Sequence, residues 1–301
     1  GMKSLIQPQP AGSGTVQGYI ATLCDRYRFL QRVPVGGSAC GRELSALILD
    51  CPGPRPTGRV LFSAAFHGQE WITALILLRF LEELCENLRT GKSMAQVEVR
   101  RALMGRTLFF VPLVNPDGVD IALFGSASAG VYADSVHALG GDIPGNWQAN
   151  ARGVDINHNF DAGFDTENAA MPIAPAARRF RGERPESEPE TASLCALCRR
   201  QSFRHVTALH TQGEEIYWQY GTHTPVAARM MAEILASASG YVTAKPDGAA
   251  AFGGFKDWFI DTFHRPGFTI EMGRGVNPLP VEQMPAIYER TREMLLLDAM
   301  L

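Results

Sequence analysis

A chain of 301 residues that is 46% hydrophobic and 20% charged has the balance of a globular protein and enough length for a sizeable core. Its net charge of -3 supplies no electrostatic reason for a nucleic-acid or anionic-membrane partner. No apolar run approaches the ~18 residues of a membrane-spanning helix, so membrane insertion is not expected. Gly1 before Met2 reads as an expression scar, no signal-peptide pattern follows, and a cytoplasmic protein is the expectation. The six cysteines, at 24, 40, 51, 85, 195 and 198, are read as reduced thiols. Cys195 and Cys198 form a C-x-x-C, but it lies in a helix-like stretch and has no second pair.

The first predicted element is a helix over 14–30, with Val16, Tyr19, Ile20, Leu23 and Tyr27 at helical spacing. A strand at 43–50 ends at Cys51-Pro52-Gly53-Pro54. The next, 59–66, is nearly all apolar, as a strand covered on both faces must be. It runs into His67-Gly68-Gln69-Glu70-Trp71 and a helix over 71–88. A strand at 107–114 precedes the turn sequence Asn115-Pro116-Asp117-Gly118. Residues 125–186 are rich in Gly, Ala, Asn and Pro, a length of loop that usually serves function. Beyond it come a helix at 187–201, a strand at 204–210, a helix at 224–239, a strand at 266–271 and a closing helix at 281–300. Alternating strands and helices predict an α/β sandwich around a central sheet. No composition break divides it, so 1–301 reads as one domain.

His67 and Glu70 follow directly on a buried strand, at the carboxyl edge where open α/β sheets bind ligands. The His-x-x-Glu spacing lets an imidazole and a carboxylate reach one ion, and a catalytic zinc takes three such ligands and keeps a fourth position for water. His210 ends another apolar strand and is the candidate third ligand, although a lone His-x-x-Glu is equally the pattern of a surface pair. Glu271 ends the strand Pro266-Gly267-Phe268-Thr269-Ile270 and is placed to act as a base, its alternative being a solvated carboxylate at a strand end. His137, His205, His223 and His264 receive no role.

The order His67-x-x-Glu70, Asn115-Pro-Asp-Gly118, Gly153-Val-Asp-x-Asn157, strand-end His210 and strand-end Glu271 resembles the zinc carboxypeptidase superfamily, over roughly 40–280. The resemblance implies an α/β/α fold around a mixed, twisted sheet of about eight strands and one zinc ion per chain. It also implies that Glu271 activates water and then protonates the leaving amine.

Departures from the digestive branch of that family shape the expected substrate. Its Asn-Arg grip on a C-terminal carboxylate is here Asn157-His158, and His lacks the bidentate fork of Arg. Its oxyanion Arg beside a Trp is here Gln148 after Trp147, with Arg152 as the substitute. The tyrosine expected before Gly253-Gly254 is absent. The segments Gly253–Phe259, Arg265–Pro280 and Trp147–Asp155 are instead similar to bacterial γ-D-glutamyl-diamino-acid endopeptidases, which cut murein peptides between γ-D-Glu and meso-diaminopimelate. In the superfamily the position of Lys256 lines the pocket for the leaving residue, and a cation there suits an acidic group; a solvated surface Lys is its alternative. Arg274 is a second candidate for a substrate carboxylate, or else an ion-pair partner within its loop. The expected activity is therefore zinc-dependent hydrolysis of the γ-D-Glu–diaminopimelate amide. The alternatives are removal of an acidic C-terminal residue, or a non-catalytic peptide-binding module on the same fold.

Overall fold

The computed structural model describes residues 3–301. Gly1, read as an expression scar, lies outside the described residues. Helix α1 (Ser13–Arg26) buries Val16, Ile20 and Leu23 on one face. It stops at Tyr27, which is extended, and the chain returns as β1 (Leu30–Gly37). The predicted helix to residue 30 therefore overran. Strand β1 carries no alternating apolar signal because it is a largely exposed edge, with Pro34 at an irregularity in its antiparallel pairing to β2 (Glu43–Asp50). Strand β3 (Gly58–Ala64) leads through a short 3-10 turn into α2 (Ile72–Thr90). A small hairpin, β4 (Ser93–Met94) and β5 (Val97–Glu98), and the one-turn α3 (Val99–Ala102) connect to β6 (Arg106–Val111) and α4 (Pro116–Phe124).

The long segment 125–186 contains the short helix α5 (Ala133–Ala138) and packs Val136 and Trp147 in a separate cluster with Ile121 of α4. Then follow α6 (Pro189–Arg200), β7 (Phe203–His210), β8 (Glu215–Tyr217), α7 (Ala227–Ser239), β9 (Val242–Ala244), α8 (Phe255–Phe263), β10 (Gly267–Glu271) and α9 (Met284–Met300).

Eight strands form one mixed sheet in the order β1-β2-β6-β3-β7-β10-β8-β9. Strands β6, β3, β7 and β10 are mutually parallel, while β2 and β8 run against their neighbours β6 and β10. Side chains alternate between two cores. Val60, Phe62, Leu108 and Phe110 face the helices α1, α2 and α9 on one side; Leu61, Phe109, Val111 and Ala208 face α6 and α8 on the other. Phe62 stacks on Phe110 with ring centroids 5.5 Å apart and meets Phe80 of α2 edge-on at 5.6 Å. Each such fully buried apolar side chain contributes about 1.5–3 kcal/mol by leaving water. Cys195 and Cys198 are free thiols buried in the α6 core, and burial pushes both thiols up. The closing helix is pinned to the sheet by Asp298, which accepts from Thr207 Oγ1 at 2.6 Å and lies 2.8 Å from His205 Nε2. Among the described residues no helix is long and apolar enough to cross a membrane.

This topology brings the carboxyl ends of β3, β7 and β10 side by side. In register Ala64 pairs with Leu209, and His210 pairs with Glu271.

Candidate metal centre and active cleft

The turn that carries His67 and Glu70 is fixed by contacts from two other loops. A Cβ on Gly68 would lie 2.2 Å from the Gly118 carbonyl and 3.0 Å from that of Trp147, so only glycine fits. Its amide donates to the Gln148 carbonyl at 3.0 Å. The side chain of Asn115 donates to the carbonyls of Phe66 and Ala149 at 3.0 and 3.1 Å, while its Oδ1 accepts from the Gly118 amide at 3.0 Å. The Asn-Pro-Asp-Gly turn thus caps α4 and holds the end of β3 against the 147–149 segment.

Within that frame His67 Nδ1 lies 2.7 Å from Glu70 Oε2, and His210 Nδ1 lies 3.2 Å from Glu70 Oε1. One ligand atom from each of the three residues falls within 4.8 Å of the others, and no other such group of His, Cys, Asp or Glu occurs among the described residues. Glu70 is 3% exposed and also accepts from the Thr211 amide at 3.0 Å. Burial raises its pKa, but His67 and His210 outweigh burial and hold it at about 2. On the far side of the ring, His67 Nε2 lies 3.0 Å from Asp155 Oδ1. Burial opposes a charge on His67, yet Asp155 and Glu70 prevail and raise its pKa well above the ordinary histidine range. Two carboxylates around one imidazole, with a second imidazole on the same carboxylate, form a site that favours a bound cation. Two nitrogens and one oxygen suit zinc, and the outer carboxylate fixes the tautomer that leaves Nδ1 free to ligate.

Glu271 faces His210 across the parallel pair β7–β10. Among the described residues its carboxyl has no hydrogen-bond partner. Burial and then the Glu70 charge push its pKa well above the usual carboxylate range. His67, His210 and Glu271 open into one cleft of about 100 Å³. Asn157, His158 and Lys256 line the same cleft. Asn157 Oδ1 accepts from the Phe255 amide at 3.0 Å and so caps α8. His158 Nδ1 is buried with no partner, and burial lowers its pKa, keeping the ring neutral. Lys256 is only 5% exposed; its Nζ donates to the Gln219 carbonyl at 2.7 Å and lies 2.8 Å from Asp257 Oδ1.

The structure adds Tyr217, Thr269 and Asp257 to the lining. Thr269 stands two residues before Glu271 on β10, so strand periodicity puts it on the same face. Tyr217 pairs with it across β8, a strand of three residues that gives no pattern to read. Other sequence candidates stand apart from the cleft. Arg152 is 44% exposed with Nε 3.3 Å from Glu188 Oε1, and Arg274 is 73% exposed and bonded to Glu214. Gln148 contributes its backbone: its carbonyl takes the Gly68 amide and its amide donates to the Ala177 carbonyl at 2.9 Å.

The sequence profile described as zinc carboxypeptidase matches residues 16–294. The γ-D-glutamyl-L-diamino acid endopeptidase 1 of Lysinibacillus sphaericus is 34% identical over 272 residues, 90% of this chain and 67% of its own length. Thrombin-activatable fibrinolysis inhibitor superposes with a TM-score of 0.79 at 18% identity, over 97% of this chain and 74% of that one. The murein-tripeptide amidase of Escherichia coli O157 does so with a TM-score of 0.55 at 24% identity, over 88% of this chain and 91% of that one. These superpositions speak to the fold, a mixed eight-stranded sheet between helices. Together with the profile match and the His-Glu-His cluster, they establish that this chain belongs to the zinc carboxypeptidase family and is a zinc metallopeptidase.

Proposed function

We propose that the protein hydrolyses the amide between γ-D-glutamate and meso-diaminopimelate in murein peptides, with 1–301 as one catalytic domain. The observation that carries this reading is the buried Lys256–Asp257 pair in the lining of the cleft that holds Glu271. Lys256 Nζ donates to the Gln219 carbonyl and is ion-paired with Asp257, and an ammonium with three donors keeps capacity for a substrate carboxylate. Asp257 offers the complementary partner for an ammonium. A leaving residue that ends in both groups, as diaminopimelate does, matches the pair better than Asp or Glu, which end in a carboxylate alone. The likeness to the γ-D-glutamyl-L-diamino acid endopeptidase of L. sphaericus supports the same substrate class. Six free cysteines support a reducing compartment, and we place the reaction in the cytoplasm.

In this reading His67, Glu70 and His210 hold the zinc ion, and Asp155 orients His67. When bound, zinc lowers the pKa of water toward ~7 and polarises the scissile carbonyl. Glu271 accepts the proton of the attacking water and passes it to the leaving amine. The neutral His158 and the side chain of Asn157 orient the substrate from the α8 side of the cleft.

The test is incubation with L-Ala-γ-D-Glu-meso-diaminopimelate and, separately, with an α-linked peptide ending in Asp or Glu, followed by mass spectrometry. Release of diaminopimelate from the tripeptide is the expected result. Cleavage of the α-linked peptide alone establishes an acidic-residue carboxypeptidase instead.

A further inference from the structure

The leaving residue accounts for only one side of the scissile bond. A γ-linked D-glutamate keeps a free α-carboxylate on the acyl side, and nothing assigned above receives it. Lys256 belongs to the cleft lining, and Gln148 is neutral where the family's oxyanion arginine is expected.

The segment Arg178–Arg184 holds four arginines in seven residues. Two are committed to carbonyls: Arg178 Nη2 donates to Asn146 O at 3.1 Å, and Arg181 Nη1 donates to Thr166 O at 2.9 Å. Among the described residues the guanidiniums of Arg179 and Arg184 have no hydrogen-bond or ion-pair partner. Arg179 differs from Arg184 in what its backbone touches. Its amide donates at 3.1 Å to Asp155 Oδ2, and the other oxygen of that carboxylate is 3.0 Å from His67 Nε2. Arg179 is thus one carboxylate away from a metal ligand, on the opposite side of the His67 ring from Glu70. The segment also runs beside Gln148, whose amide bonds to Ala177 O at 2.9 Å.

The backbone of Arg179 is in the left-handed region, at φ 68°. Glycine is at home there and a side chain is disfavoured. Strained residues of this kind concentrate where a site needs a particular side chain. An exposed arginine with a free guanidinium, whose backbone is held in an unfavourable conformation by the carboxylate that contacts His67, meets that description.

We infer that Arg179 binds the free α-carboxylate of the γ-linked acyl residue and so selects γ-linked over neutral acyl groups, an inference that rests on the murein-peptide reading. Arginine can engage that carboxylate bidentately, supplying on the acyl side the fork that His158 and Gln148 lack.

The experiment compares L-Ala-γ-D-Glu-meso-diaminopimelate with the analogue whose D-Glu α-carboxylate is an amide, using wild type, Arg179→Gly and Arg184→Ala. Glycine suits the backbone at 179, so Arg179→Gly removes the guanidinium while keeping the amide on Asp155; zinc content and melting temperature report that the site is intact. The wild type and Arg184→Ala should prefer the free acid by about tenfold to a hundredfold in kcat/KM. Arg179→Gly should lose that preference while retaining its rate on the amide. An unchanged preference in Arg179→Gly overturns the inference, as does a wild type that cleaves both substrates equally. A wild type that cleaves neither overturns the murein-peptide reading itself, and this inference with it.

Discussion

Glu271 and His210 are register partners on two parallel strands, so one hydrogen-bonded ladder sets the spacing between proton acceptor and metal ligand. Neither residue depends on a loop for its place, which is the arrangement that keeps catalytic groups rigid. Glu271→Gln keeps the shape and removes the base. Turnover should fall by roughly 10²–10⁴-fold while zinc content stays near one per chain. A variant with full activity refutes the base assignment.

Asp155 tests the support of the metal rather than the metal itself. Its carboxylate touches His67 Nε2 at 3.0 Å and also accepts the amide of Asn157 at 3.1 Å. Asp155→Asn should weaken zinc binding by about 10–100-fold, measured by competition with a chelator. His210→Ala should abolish stoichiometric zinc. Equal zinc affinity in Asp155→Asn and wild type would show that His67 is held by its turn alone.

How much of this was legible in the sequence follows from where each element sits. Strands β3, β7 and β10 end in chemistry and are covered on both faces, so their apolar runs and terminal His or Glu stand out. The edge strands β1 and β9, and β8 next to the edge, gave no such signal; they are exposed or only three residues long. The helix α8 was hidden because the Gly-rich stretch before it reads as loop, yet Gly253, at φ 76°, is what lets the chain pass His158 and start it. Lys256 was placed by resemblance and Asp257 is its neighbour on α8, but the Gln219 carbonyl comes from the segment after β8 and only folding brings it to Lys256. Arg152 and Arg274 failed to reach the cleft for the ordinary reason that each found a nearer carboxylate, Glu188 and Glu214.

Glu190 gives a pH dependence with a definite sign. It is fully buried, and burial, then the charges of Asp117 and Glu188, push its pKa from 4.5 up to about 8. A raised carboxyl pKa contributes stability that is complete below about 4.5 and is lost as pH rises through about 8. The wild type should therefore lose stability, on the order of a few kcal/mol, between those limits. Glu190→Gln removes the ionisation and should melt at a higher temperature than wild type at pH 9, with little difference at pH 4. A variant less stable than wild type at pH 9 contradicts the assignment. The effect should extend to function, because Asn150, which bonds Glu190 and Glu188, also holds the Arg152 and Val154 amides just before Asp155.

Gly68 links packing to the metal directly. An added Cβ meets the Gly118 carbonyl at 2.2 Å, and both partners are backbone, so neither can swing aside. Gly68→Ala should destabilise the protein by about 1–3 kcal/mol and displace the turn between the two ligands. Zinc affinity should fall more than stability does, because the α2 and β3 cores on either side can relax while the spacing of His67 and Glu70 cannot. Calorimetric melting of the zinc-loaded and chelator-treated variant separates the two effects. If the gain in melting temperature from zinc matches that of wild type, the turn has absorbed the methyl group elsewhere and Gly68 is not what sets the ligand spacing.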